Sequence, residues 1–443
     1  MAQMNFSSKW RGWVMSIIRN SRASVLVNGS PSCEFSCQRG LRPGDPLSPF
    51  LFILAMDGLT RIMRRACELG VFHGIRVGGT GPLISHFMYA DDVVFCGEWS
   101  IANAINLRRL LRGFFLISWL KISSKKSSVF GIGVGECDIV DMARLLKCSR
   151  GRFPFTHLGV PIASNMNLVR SWDPVLEKFQ KRLSAWKSKC LSYGGRITLL
   201  KSILSSLPLY FFSLFRAPIQ VINTLRKLRR KVFWGGVEAV DRMSWLAWDK
   251  VVAPTKYGGV GLGSLRDANL SLLSKWWWRF KVSQDSLWRK VIWSIHGSGR
   301  GWTYIPVKLT LGGMWKQIAS VPDILENISS GPNLFVNGNV KSGHSVFFWS
   351  DWWVSDNTLQ RKFPLLFALE KKRCCLVSDR LLLSAEQLQF AWDWKRSSFT
   401  AAEQIQYDAL ISLVSNVNLS PGVDSWTWSA GGEIGFSVRN VKE

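Results

Sequence analysis

Apolar residues recur at helical spacing near the start of the chain. Between Ser8 and Arg19, the residues Trp10, Trp13, Val14, Ile17 and Ile18 predict an amphipathic helix. Ala23 to Asn28 then reads as a strand ending in an Asn28-Gly29 turn, with Glu34 to Gln38 returning as its partner. The stretch Gln38 to Pro49 holds two Gly and three Pro in twelve residues, which predicts a rigid, irregular loop. Pro49 suits the first turn of a helix, and the strongly apolar run that follows predicts one over Pro49–Arg65. A second helix is expected over Ala102–Leu116. Between them lie two short apolar runs, Leu83 to Met88 and Val93 to Gly97, that read as strands. Tyr89-Ala90-Asp91-Asp92 falls between these strands, where the chain must reverse.

Further along, Leu158-Gly159-Val160-Pro161-Ile162 reads as a core strand, with Gly159 allowing close approach of another backbone. From Trp172 to Lys231 the pattern is helical and basic. Lys178, Lys181, Arg182, Lys187 and Lys189 alternate with Phe179, Leu183 and Trp186, as on an amphipathic helix with a cationic face. Gly194-Gly195-Arg196 interrupts the helices. After Phe233-Trp234-Gly235-Gly236 the texture changes, because 17 of the 23 Trp lie from Trp234 onward. Trp mainly buries area, so core packing is the expected use of these rings, ahead of stacking on unpaired bases.

Composition adds a partner class to this outline. The chain has 443 residues, enough for two or three domains, and 47% of them are hydrophobic, as in a folded protein. The formal charge of +27 and pI of 10.1 point to a polyanion, either nucleic acid or an anionic membrane surface. Residues 171–231 alone carry 13 Lys and Arg against Asp173 and Glu177, a net +11, so phosphate contact is the expectation there. Nine scattered Cys without a signal peptide indicate reduced thiols in an intracellular protein. Cys33-x-x-x-Cys37 lacks a second Cys/His pair at zinc-like spacing, so buried thiols are expected. The longest apolar stretch, Leu204 to Ile219, contains Pro208, Arg216 and Pro218 and is not a membrane span.

Two adjacent carboxylates at a hairpin tip repel each other, and a cation relieves that repulsion. Mg²⁺ suits the site because it takes oxygen ligands and leaves positions open for substrate phosphates. In isolation, Asp91-Asp92 is more often a solvated turn.

The surrounding motifs resemble the core of a reverse transcriptase of the LINE-type, non-LTR retrotransposon class found in plants. The resemblance rests on Arg39-Gly40-Leu41-Arg42-Pro43-Gly44-Asp45-Pro46-Leu47-Ser48-Pro49, followed some forty residues later by Tyr89-Ala90-Asp91-Asp92. The family usually has Gln where Pro43 stands. Leu120-Lys121-Ile122-Ser123 through Lys126-Ser127 resembles the palm segment after the catalytic hairpin, with Trp119 and Ser123 departing from the common Gly-Leu-Lys-Ile-Asn. The turn at Leu158-Gly159 resembles the primer grip.

The resemblance implies an α+β fold over residues 1–165, a partial right-hand polymerase palm with an antiparallel sheet and helices. A helical, basic thumb-like segment would follow over 166–235, then a Trp-rich connecting region over 236–443. It implies Asp91 and Asp92 as catalytic metal ligands for Mg²⁺ or Mn²⁺. Arg39, Gly40, Arg42, Gly44, Asp45, Pro46, Tyr89 and Lys126 would contact nucleotide or template, and Leu158 and Gly159 the primer. Lys178, Lys181, Arg182, Lys187, Lys189 and Arg196 would grip the duplex. The implied partners are an RNA template, a DNA primer and dNTPs, without a membrane, in a retroelement ribonucleoprotein of the nucleus or cytoplasm.

In the family a third carboxylate lies upstream of a helix like Ser8–Arg19. No acidic residue precedes Glu34 here, so the expectation is an incomplete metal site and a chain inactive by itself. Most of the fingers, any endonuclease domain and the terminal zinc-binding module are expected to be missing too. The alternatives are a non-catalytic RNA or RNA–DNA duplex-binding remnant, or a decayed element with no selected function.

Overall fold

The computed structural model describes residues 1–37, 44–185, 191–235, 243–297, 305–326, 336–384, 387–428 and 435–438. Two compact units divide between Phe153 and Pro154. Both mix helices with short strand pairs, an α+β arrangement. No helix among the described residues is long and apolar enough to cross a membrane.

In the first unit, helix α1 spans Ser8–Arg19, and the Ser7 hydroxyl accepts from the Trp10 N–H at its start. Arg22–Ala23 pairs with Phe35–Ser36, and Leu26–Val27 pairs with Ser30–Pro31 across Asn28-Gly29. Both turn residues have positive φ (49° and 84°), the tight geometry that an Asn-Gly pair adopts readily. Cys33 is exposed and Cys37 half-buried, so the expectation of buried thiols fails. The two-residue strands around them are too short to cover either side chain.

Helix α2 (Ser48–Glu68) and helix α3 (Ile101–Ser118) form the centre of this unit. Leu59, Met63 and Ala66 of α2 bury against Phe72 and Phe114, with Leu107, Leu110 and Leu111 of α3 packed alongside. These positions repeat every three or four residues, so each helix offers one apolar stripe to the other. Helix α4 (Glu136–Leu146) closes the unit. Among the described residues strand structure is limited to pairs, and the expected antiparallel sheet is confined here to two-stranded hairpins and ladders.

The second unit begins with the hairpin Phe155–His157 and Val160–Ile162. Leu158 and Gly159 form its turn at φ 49° and 76°, so they are not part of a continuous strand. The glycine serves the backbone angle; a Cβ there would meet only the Tyr210 ring, at 3.9 Å. Helix α5 (Asp173–Ala185) buries Val175 and Phe179 beside Trp172, in a core shared with Leu200, Phe212, Leu225 and Phe233. The basic run Leu225–Lys231 does not face one way. Arg229 turns into this core and donates to the carbonyls of Leu262 (3.0 Å) and Gly263 (3.1 Å). Burial pushes its pKa down to about 10.

Much of the Trp-rich region packs its rings inward, although Trp245 is exposed. Trp277, Trp315, Trp352 and Trp428 share one cluster, and Trp349 joins Phe348, Leu366 and Leu410 in another. Trp392 stacks on Trp394 with ring centroids 5.3 Å apart.

Candidate active site

The acidic pair sits on a hairpin of His86–Tyr89 and Asp92–Phe95, with Tyr89 opposite Asp92 and His86 opposite Phe95. Side chains alternate across such a pair. Met88 and Phe95 therefore share the face that packs on the α2–α3 core. Phe87, Tyr89 and Asp92 belong to the opposite face, where Tyr89 is 67% exposed. Asp91 occupies the turn and Asp92 opens the returning strand; both are exposed. The positive φ that reverses the chain falls on Ala90 (51°) and on neither Asp. For an L-residue with a Cβ this conformation costs about 1–2 kcal/mol.

The hairpin is held at its base. Asn103, buried in the first turn of α3, accepts from the His73 N–H (2.9 Å) and donates to the carbonyls of His73 (2.9 Å) and Glu98 (3.0 Å). Gly97 ends the hairpin at a point where a Cβ would lie 2.7 Å from the Phe72 ring and 2.8 Å from the Asn103 amide. Ser100 caps α3 by accepting from the Asn103 N–H. The sequence pattern singled out neither Asn103 nor Gly97 for these roles. The available signal is a single Asn three residues after a Ser at a helix start.

Some carboxylates of this unit are ion-paired; Asp91 and Asp92, like Asp45, Glu98 and Asp138, have no ion pair among the described residues. Glu34, Asp57, Glu68, Glu136 and Asp141 in this unit all face an Arg. Asp91 and Asp92 have no ion-pair or hydrogen-bond partner among the described residues, and no group of three His, Cys, Asp or Glu suited to a metal occurs among them. Two exposed carboxylates offer oxygen donors and open positions, the donor set that a hard divalent cation takes. At the hairpin's start, the Ser85 hydroxyl lies 2.8 Å from His86 Nδ1. Burial, then the Arg64 charge, hold the His86 pKa below its ordinary value. A shallow cavity of about 240 Å³ opens nearby, lined by Arg64, Cys67, Glu68, Leu83 and Ser85.

The other expected site residues divide. Arg39, Gly40 and Arg42 of the loop, and Lys187 and Lys189 beyond α5, lie outside the described residues. Gly44 adopts φ 86°, and the Asp45 carboxylate accepts from the Leu47 N–H (2.8 Å) at the entrance to α2. Asp45 therefore orders the turn, with Pro46 inside it. Lys126 is exposed, in a turn whose N–H donates to the Ser123 carbonyl. Leu158 accepts from the Tyr210 hydroxyl at its carbonyl, 3.0 Å away. Lys178, Lys181 and Arg182 are exposed on α5, whose Val175 and Phe179 are buried. Arg196 is half-buried and donates to the carbonyls of Leu191 (3.2 Å) and Phe233 (3.4 Å), a structural use of its guanidinium.

Residues 1–162 match the family model for reverse transcriptase, an RNA-dependent DNA polymerase. The chain is 32% identical over 277 residues to a putative ribonuclease H protein of Arabidopsis thaliana, covering 62% of this chain and 42% of the relative. It is 49% identical over 67 residues to an uncharacterized mitochondrial protein of Arabidopsis thaliana, covering 15% of this chain and 55% of the relative. It is also 32% identical over 274 residues to the retrovirus-related Pol polyprotein of a type-2 retrotransposable element of Drosophila melanogaster, covering 57% of this chain and 24% of the relative. The chain spans about half or less of the length of these relatives. Residues 1–162, with the acidic hairpin inside them, are similar to the reverse transcriptase family, in agreement with the resemblance to the LINE-type, non-LTR retrotransposon class.

Proposed function

We propose that the Asp91–Asp92 hairpin is the metal-holding element of a polymerase palm. On this reading the chain takes part in RNA-directed DNA synthesis from an RNA template, a DNA primer and deoxynucleoside triphosphates. One observation carries the proposal: two exposed carboxylates without a partner among the described residues, on a hairpin fixed to the α2–α3 core, in a chain of net charge +27.

Asp91 and Asp92 would hold Mg²⁺ or Mn²⁺, with substrate phosphate oxygens completing the ligands. When bound, such ions supply the positive charge that stabilises the attacking and leaving oxygens of a phosphoryl transfer. Tyr89, on the same open face as Asp92, would border the nucleotide. The Gly44-Asp45-Pro46 turn, with Arg39, Gly40 and Arg42 before it, would support the template and incoming base, and Lys126 would contact phosphate. The Leu158-Gly159 turn would act as the primer grip. Lys178, Lys181 and Arg182, joined by Lys187 and Lys189, would form the thumb-like duplex surface. Arg196 would join them with the donors that its two carbonyl contacts leave.

The test is a ternary-complex assay. The chain is bound to an RNA–DNA primer–template with Mg²⁺ and challenged with heparin, with and without the nucleotide that pairs with the next template base. The proposal predicts that this nucleotide, and not a mismatched one, lengthens the complex lifetime several-fold. Asp91→Asn with Asp92→Asn should remove the gain and keep basal binding. Binding that ignores the nucleotide overturns the polymerase reading in favour of a simple duplex binder.

A further inference from the structure

The helix Leu265–Val282 carries a buried charge near its end. Lys281 is 5% exposed, and its ammonium pairs with Asp351, which is 4% exposed. The second Asp351 oxygen accepts from the Phe347 N–H (2.8 Å). The rings of Phe347 and Trp426 flank the ammonium, with centroids 5.4 and 5.3 Å from Nζ. Whichever of the two side chains holds the proton, the pair is neutral.

Arg289, on the helix Leu287–His296, adds a charge that the pair does not offset. It is half-buried, and its guanidinium lies over the ring of Phe280, the residue before Lys281, 5.1 Å from the centroid. Nη1 donates to the Gln284 carbonyl (3.1 Å), while Nε is buried and meets no acceptor. Neither Asp351 nor the exposed Asp285 forms an ion pair with it. Burial holds the Arg289 pKa below its ordinary value in spite of both carboxylates. The indole N–H groups of Trp288 and Trp426 are likewise buried without an acceptor. Trp288 meets Phe280 with ring centroids 6.0 Å apart, and Trp426 covers Lys281. The cluster therefore holds one net positive charge and three N–H donors that no protein acceptor answers. Water accepts from such donors but carries no charge; an anion does both.

We infer that Arg289, with the Trp288 and Trp426 N–H groups, binds one small monovalent anion of the halide class beside the Lys281–Asp351 pair. One unit of excess charge selects a monovalent ion over a phosphate, which would bring a second buried charge. The inference does not rest on the polymerase reading.

The test follows thermal unfolding of the full chain as chloride replaces gluconate at constant ionic strength, so that general screening of the +27 charge stays the same. Gluconate is also monovalent but many times larger. The expected result is a saturable rise in Tm of about 2–4 °C. Arg289→Gln removes the charge and keeps a donor for the Gln284 carbonyl; it should lose most of the gain, and Arg289→Lys should recover part of it. If Arg289→Gln does not fold, Trp426→Phe takes its place, because it keeps a ring beside Lys281 and removes one N–H. It should raise the half-saturating chloride concentration several-fold. Lys290→Gln, at an exposed neighbour, should leave the gain unchanged. Equal Tm in the two salts overturns the site. A chloride gain that Arg289→Gln keeps in full, or in its place a half-saturation that Trp426→Phe leaves unmoved, also overturns it and puts the ion elsewhere.

Discussion

The carboxylates of the acidic hairpin and those of Asp351, Glu370 and Asp424 meet opposite fates. Glu370 accepts from both Arg380 Nη2 (2.7 Å) and Nε (3.0 Å), from the Trp349 indole (3.2 Å) and from the Lys372 N–H (3.1 Å). Asp351 pairs with Lys281 and accepts from the Phe347 N–H. Asp424 accepts from the N–H groups of Lys341, Gly343 and Ser345 and from the Ser345 hydroxyl, all within 2.9 Å. Asp91 and Asp92 have none of this. A buried charge must be saturated by the protein or it destabilises the fold. A charge left unsaturated at a surface is available to a ligand. The same side chain therefore serves structure in one region and chemistry in the other, according to what surrounds it.

The largest effect should come from breaking a saturated pair. Glu370→Ala strands Arg380, whose side chain is 6% exposed, and should cost about 3–5 kcal/mol in urea denaturation. A cost below about 1 kcal/mol would mean that water reaches the pair and that the contrast with the hairpin is false. Next in size is Asn103→Ala. It leaves the Glu98 carbonyl and the His73 N–H without their partner and takes one of two donors from the His73 carbonyl, for about 2–3 kcal/mol. The loss should appear as faster amide exchange along Asp92–Phe95, because Asn103 fixes the hairpin's base.

A pH series sharpens the comparison further. Burial pushes the Asp424 carboxyl up, but the hydrogen bonds from Gly343, Lys341 and Ser345 together outweigh it and hold its pKa below the ordinary value. Its contribution is therefore fully present above the unfolded pKa, near about 4, and fades as the pH falls through the lower folded value. Asp424→Asn should be less stable than the parent at neutral pH by about 1–3 kcal/mol. The gap should narrow below about pH 4. A gap independent of pH would show that Asp424 acts by shape and not by charge.

Local rules reached much of this molecule. Helical spacing located α1, α2 and α3 to within a few residues, and Asn28-Gly29 and Ala90-Asp91 mark turns whose chemistry is local. The acidic pair was legible because charge at a strand reversal is a pattern of adjacent residues. The fate of individual cations was not. Arg229 and Arg196 look like Lys178 in a basic segment, yet each donates to a carbonyl supplied by a residue distant in sequence. Gly159 looked like a close-approach glycine within a strand, and only the pairing of Phe155–His157 with Val160–Ile162 makes it a turn. Asn103 was hidden for the same reason, since its partner His73 lies thirty residues away.

The most direct test of the unsaturated pair replaces Mg²⁺ by Fe²⁺ with ascorbate and maps where hydroxyl radicals cut the backbone of the intact chain. The account predicts scission beside Asp91 and Asp92, suppressed by excess Mg²⁺. It should be absent from the Asp91→Asn, Asp92→Asn variant, whose stability should stay within about 0.5 kcal/mol of the parent because no protein contact is lost. Scission concentrated elsewhere, or unchanged at the hairpin after both substitutions, would contradict the assignment of these two carboxylates to a metal ion.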